Sequence, residues 1–85
     1  MKAVIPNLKV KVISPFDVLY EGEAQAVSAM SEVGAFDILP NHANFMTLLI
    51  ECEVHILTHV DERKFPISHG ILKVDRNSVV VFANI

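Results

Sequence analysis

Leu8-Lys9-Val10-Lys11-Val12-Ile13-Ser14, LKVKVIS, alternates apolar and charged residues. Leu8, Val10 and Val12 share one face and Lys9 and Lys11 the other, the period of two expected of a half-buried β-strand. Ser14-Pro15 ends the run, because proline has no N–H for a ladder and biases the residue before it away from helix. In the next segment, FDVLYEG, Phe16, Val18 and Tyr20 alternate with Asp17 and Leu19 up to an expected turn at Glu21-Gly22. Further strand-like runs are Ala24–Met30, Ala35–Leu39, Phe45–Leu49, Glu53–Thr58, Lys64–Ser68, Ile71–Val74 and Val79–Ala83. The expected breaks are Ser31–Gly34, Pro40–Asn44, Asp61–Arg63, His69-Gly70 and Asp75–Ser78, with Asp75-Arg76-Asn77 reading as a hairpin turn. No window has the apolar period and paired caps of a helix, although a short turn capped by Asn41 fits Asn41–Asn44. About nine to ten short strands at this spacing predict an all-β fold, a flattened two-sheet antiparallel β-sandwich.

Composition narrows the function. Residues 1–85 have the length of a single domain. With 52% hydrophobic residues against 20% charged, the apolar material exceeds what one small core hides, so the surplus is expected on the surface as an interface. Seven Lys and Arg, a net charge of −3 and no basic run argue against nucleic acid, which requires a concentrated positive surface. Cys52 is the one cysteine, which fits a reducing compartment and a buried thiol. The start of the chain, MKAVIPNLKV, lacks the pattern of a secretory signal. No apolar run approaches the ~20 residues of a membrane-spanning helix, so a soluble domain without direct membrane insertion is expected.

The candidate chemistries are weak. His55 and His59, four apart on a strand, stand about 13 Å from each other, too far for one zinc. Cys52 and His55, three apart, point to opposite faces. Glu21 and Glu23 flank Gly22 and read as solvated, and three scattered glycines form no phosphate-cradling loop. No catalytic, cofactor or metal residue is assigned. His42, in Pro40-Asn41-His42-Ala43-Asn44, stays open between a satisfied, partly buried imidazole, a contact offered to another protein and, as the weakest reading, catalysis or a metal.

Three blocks, VISPFDVLYEGEAQAV (Val12–Val27), GAFDILPNHANFMTLL (Gly34–Leu49) and HGILKVDRNSVVVFAN (His69–Asn84), resemble the N-terminal domain of the epsilon subunit of F-type ATP synthases. Pro40, His42, Ala43, Phe45, Met46 and Thr47 meet one motif of that family, and Gly70 to Val74 another. The resemblance implies a β-sandwich without catalytic residues or cofactors, at the foot of the central stalk. It implies the gamma subunit and the c-ring as partners, and a peripheral place at the cytoplasmic face of the inner membrane. There it couples ion-driven rotation to ATP synthesis. The ring-facing loops would be Ser31–Ala35 and Pro40–Asn44, making Ser31, Glu32, Ala35, Asn41 and His42 the expected c-ring contacts.

Some residues depart from the family's pattern. Ala35 replaces a common acidic residue, for which Glu32 offers a substitute, and Asp37 and His69 replace common glycines. His69 is expected to be strained if that glycine served a positive φ. The C-terminal helical domain of the family would begin where this sequence ends; a short form lacking that domain is the expectation, and a truncated chain would look the same. The alternative is a free-standing, self-associating β-sandwich module of the same descent, a homodimer in isolation, with SVVVFANI as its expected open edge. An enzyme built on Cys52 or the histidines is the third and weakest reading.

Overall fold

The computed structural model describes residues 7–84, and nine strands run through them. They are β1 (Leu8–Ile13), β2 (Val18–Ala24), β3 (Ala26–Ser31), β4 (Gly34–Ile38), β5 (Phe45–Leu49), β6 (Cys52–Leu57), β7 (Glu62–Ile67), β8 (His69–Asp75) and β9 (Ser78–Asn84). No helix occurs among the described residues. One sheet has the order β2-β1-β9-β8-β5, the other β4-β3-β6-β7. The thinnest dimension, 18 Å, is that of two sheets packed about 10 Å apart with side chains on their outer faces. The expected two-sheet sandwich is the observed one.

The core is wholly aliphatic at its centre. Leu8, Val10, Val12, Leu72, Val74, Val79 and Val81 from the five-stranded sheet face Val27, Ile38, Val54 and Ile56 from the other, all essentially inaccessible to water. Tyr20, Phe36 and Phe65 pack on its flanks. β-branched residues dominate because their restricted χ1 suits a pleated surface.

Several boundaries depart from the sequence reading. Glu21-Gly22 is not a turn: β2 continues to Ala24, with Gly22 opposite Val10. Gly22 makes room for the Tyr20 ring, since a Cβ there would lie 3.1 Å from the Tyr20 hydroxyl oxygen. Phe16 is in a turn closed by Ser14 N–H donating to Asp17 O at 2.8 Å, not in a strand, and it is 97% exposed. The chain changes sheets at Gln25, whose N–H donates to Leu57 O at 2.7 Å. It changes again at Ser68, whose N–H donates to Asn84 O at 2.7 Å, so His69-Gly70 opens β8 rather than separating two strands.

One pair breaks the antiparallel rule: β1 lies parallel to β9, with Val10 opposite Val79 and Val12 opposite Val81. Alternation reports which face a residue occupies and says nothing of strand direction, so this pairing was not legible. It also places β9 between β1 and β8, so the expected open edge at SVVVFANI is an interior strand over Ser78–Asn84, with Ile85 outside the described residues. The strand edges are β2 and β5 in one sheet and β4 and β7 in the other.

The hairpin at Asp75-Arg76-Asn77 is as expected. Asp75 pairs with Ser78, and Arg76 and Asn77 have φ of 51° and 64°, the two positive values of a type I′ turn. His69, by contrast, is not among the positive-φ residues and carries no such strain. The glycine that matters beside it is Gly70, where a Cβ would sit 2.5 Å from Phe82 O. Gly70→Ala is therefore expected to destabilise the domain by about 1–3 kcal/mol, through displacement of β9, as measured by urea unfolding.

The turn from β6 to β7 is held by Asp61. Thr58 Oγ donates to its carboxylate at 2.5 Å and Arg63 Nε at 3.1 Å, and together they keep the Asp61 carboxyl below its ordinary pKa. A folded-state pKa below the unfolded one means stability present above the unfolded value and lost as pH falls through the folded one. Asp61→Asn is expected to flatten the dependence of stability on pH below about 4. Thermal unfolding at stepped pH checks this.

Candidate protein–protein interface

The two loops expected to carry contacts flank β4, and each is built by local turn chemistry. Leu39-Pro40-Asn41-His42 is closed by His42 N–H donating to Leu39 O at 3.1 Å, and Asn41 has φ of 68°. Proline second and a positive-φ asparagine third are the signature of a type II turn. The turn thus precedes the Asn41–Asn44 segment considered for it, and Asn41 is its left-handed residue, not a helix cap.

His42 leaves this turn half-buried, its ring edge-on to Phe45 at 5.6 Å between centroids. Phe45 meets Phe36 of β4 in the same manner at 5.7 Å, so an aromatic chain ties the loop to both sheets. Nδ1 of His42 lies 2.7 Å from Ala43 O, a geometry in which Nδ1 carries the proton and Nε2 is left for another group.

The rest of the loop is fastened to the distant β8–β9 turn. Asn41 N–H donates to Asn77 Oδ1 at 2.6 Å, and Arg76 N–H to Asn44 Oδ1 at 3.2 Å. Lys9 N–H donates to Asn77 O at 2.7 Å, bringing the start of β1 into the same brace.

At the other end of β4, the Glu32-Val33 turn follows β3. Ser31 is a correction to the expected contact set: it is only 5% exposed, with its hydroxyl under the turn near Gly34 O and Val33 N. The turn presents Glu32 and Val33 instead. Ala35 is exposed on the outer face of the four-stranded sheet, opposite Met30. The two turns are separated by the length of β4, about 13 Å at ~3.3 Å per residue. They share the side of the sandwich where edge strands β4 and β5 meet through Phe36 and Phe45.

The remaining polar candidates are occupied within the fold. Asp37 accepts from Ser28 Oγ at 2.5 Å. His69 has Ser68 Oγ and Asn84 Nδ2 each at 3.1 Å from its ring nitrogens, and His59 has Gln25 and Asn7 as neighbours. His55 lies 2.8 Å from Glu53 on the outer face of β6, whereas Cys52 packs at the core margin. Among the described residues no group of three or more His, Cys, Asp and Glu is placed to hold a metal ion.

The structure adds a feature that no single motif announced. Strand register aligns Leu48, Ile71, Phe82, Ile13 and Val18 in one row across the outer face of the five-stranded sheet. All but Ile13 are exposed, Phe82 by 49%. Leu48 and Ile71 also line a groove that reaches the Glu32-Val33 turn, so the row and that loop are continuous. The opposite outer face carries Asp37, Ser28, His55 and Lys64 in one row, with Glu62 within 3.7 Å of both His55 and Lys64. A row of paired polar side chains thus marks one outer face, and a row of exposed apolar ones the other. The signal in the sequence was that FMTLL, GIL and VVVF are apolar at both parities, as in strands buried on both faces.

Comparison with known proteins agrees with this architecture. Residues 7–85 match the sequence profile of the ATP synthase delta/epsilon chain β-sandwich domain. The chain belongs to that family. It is 34% identical over 79 residues to the ATP synthase epsilon chain of Clostridium novyi, covering 92% of this chain and 60% of the relative. Identity to the epsilon chain of Thermotoga petrophila is 31% over 74 residues, covering 87% of this chain and 68% of that one. The chain therefore spans about three-fifths to two-thirds of these relatives. A chain in the Euglena gracilis mitochondrial ATP synthase assembly, solved with OSCP, F1 and c-ring, superposes with a TM-score of 0.85 at 12% identity, over 96% of this chain and 53% of that one. One in the Tetrahymena thermophila central stalk and c-ring gives 0.78 at 13%, over 92% and 63%. At that identity the likeness is one of fold, and the fold is that of the delta/epsilon β-sandwich.

Within this domain Asn77 holds the His42 loop. Asn77→Ala removes both the acceptor for Asn41 and a side chain suited to positive φ, and is expected to cost about 1–2 kcal/mol. Amide exchange at Asn41 should quicken more than exchange in the core strands, as NMR will resolve.

Proposed function

We propose that this domain is a non-catalytic central-stalk element of a rotary F-type ATP synthase, coupling ion-driven rotation of the c-ring and gamma subunit to ATP synthesis. The observation that supports it best is the uncovered apolar row from Leu48 to Val18 on a member of the delta/epsilon family. A stalk subunit requires a face that stays in contact with the shaft. Full burial of a Leu, Ile or Phe side chain is worth about 1.5–3 kcal/mol each.

In this reading gamma covers the row, and the turns carrying Glu32, Asn41 and His42 approach the polar loops of the ring, with Ala35 between them. The domain then sits peripherally at the cytoplasmic face of the inner membrane, held by its partners. Its mechanical role follows from packing: two sheets locked by an aliphatic core deform little under load, so motion at one face is transmitted to the other. His42 suits such a rim, since Phe45 and Ala43 fix its ring while Nε2 is not engaged by that contact.

Coexpression with the gamma subunit of the same genome, followed by size-exclusion chromatography at physiological salt, tests the reading. A one-to-one complex is expected, with more than ~1,000 Å² buried. Phe82→Asp should weaken it by at least about tenfold while leaving the far-ultraviolet circular dichroism unchanged. His42→Ala should spare the gamma complex and weaken association with the ring. Separate elution, with this chain as a dimer, would overturn the assignment in favour of self-association through the same row.

A further inference from the structure

The β8–β9 turn carries a residue that neither the fold nor the loop brace explains. Arg76 has φ of 51°, in a left-handed region that favours Gly, Asn and Asp and disfavours a long side chain. Only its backbone N–H is used, by Asn44. Among the described residues its guanidinium makes no hydrogen bond and no ion pair, in contrast to Arg63, which is engaged by Asp61 and lies over Tyr20. An asparagine would fill the turn with less strain, and among the described residues the arginine side chain gains no polar contact in exchange. Backbone strain kept without an internal return points to a contact outside the fold.

Its surroundings give that contact a chemistry. Arg76 lines a shallow concavity with Lys73, Asp75, Ser78 and Val80. Lys73 and nearby Lys9 also lack ion pairs among the described residues. Among the described residues Asp75 is the one carboxylate lining this hollow, against the two cations Lys73 and Arg76, on a chain of net charge −3. The hollow adjoins the His42 loop through the bonds of Arg76 to Asn44 and of Asn77 to Asn41.

We infer that the β8–β9 turn is a third segment of the ring-side rim, and that Arg76, assisted by Lys73, binds a carboxylate on a protein loop of the partner seated against His42. The inference rests on the stalk reading above, because it takes the His42 loop to face a partner. Arginine suits such a contact, because its planar fork engages a carboxylate through two parallel bonds.

Stability and binding should move in opposite directions. The test uses the full chain and, as probe, the detergent-purified assembly of c-ring and gamma from the same genome. Affinity is read by biolayer interferometry at two salt concentrations and stability by thermal unfolding. Arg76→Asn is expected to raise Tm, since asparagine relaxes the turn, yet to weaken binding by about tenfold or more and to reduce its salt dependence. Arg76→Lys, with the charge kept, should retain part of the affinity, and Arg63→Gln should leave it unchanged. Unaltered affinity for Arg76→Asn beside a wild-type chain that binds would overturn this inference and spare the stalk reading. Failure of the wild-type chain to bind would overturn both.

Discussion

The parallel ladder between β1 and β9 is the joint on which the rest of the molecule depends. It joins the first strand to the last, so that two hairpin units become one five-stranded sheet. Val10 and Val12 enter the core beside Val79 and Val81 only in this register. The same register sets Ile13 against Phe82 on the outer face, which makes the apolar row continuous from β5 to β2. At its lower end it brings Lys9 N–H to Asn77 O and so anchors the turn that braces the His42 loop. A slip of one residue would send every valine of β1 to the wrong face. Core, apolar row and loop brace are three consequences of one alignment.

The chain turns this joint into a thin, stiff plate by changing sheets at very short corners. Single residues, Gln25 and Ser68, carry it from one sheet to the other, and each donates its N–H to a strand of the sandwich. Corners this short leave little slack between the sheets. The outer faces then diverge in chemistry: on the four-stranded sheet His55, Glu53, Glu62 and Lys64 satisfy one another, while the five-stranded sheet keeps an uncovered apolar row. A plate with a continuous exposed apolar row on one face is suited to membership of a larger assembly.

Much of this was legible in the residues. Phe45–Leu49 is the strand it promised to be, and Asp75-Arg76-Asn77 makes the two-residue hairpin that its composition indicated. The errors cluster where one residue type serves two ends. Gly22 and Gly70 suggested breaks, but each lies within a strand, one clearing space for the Tyr20 ring and the other for the Phe82 carbonyl. Ser31 looked like an exposed loop residue and is buried beneath the turn it supports. At the rim, His42 stood out because an imidazole between two amides is conspicuous. Asn77, far along the chain, did not, since a turn asparagine gives no sign of a long-range acceptor.

The sequence by itself determined the alternating faces, the class of fold and the excess of apolar surface, because these follow from local periodicity and composition. Strand direction and order, the alignment of five side chains from five strands into one row, and the meeting of the Asn41 and Asn77 turns were decided only by the tertiary structure. Each of these depends on which strand lies beside which and in what register. That is settled by burying all the inward faces at once, a condition that no single stretch of the chain contains.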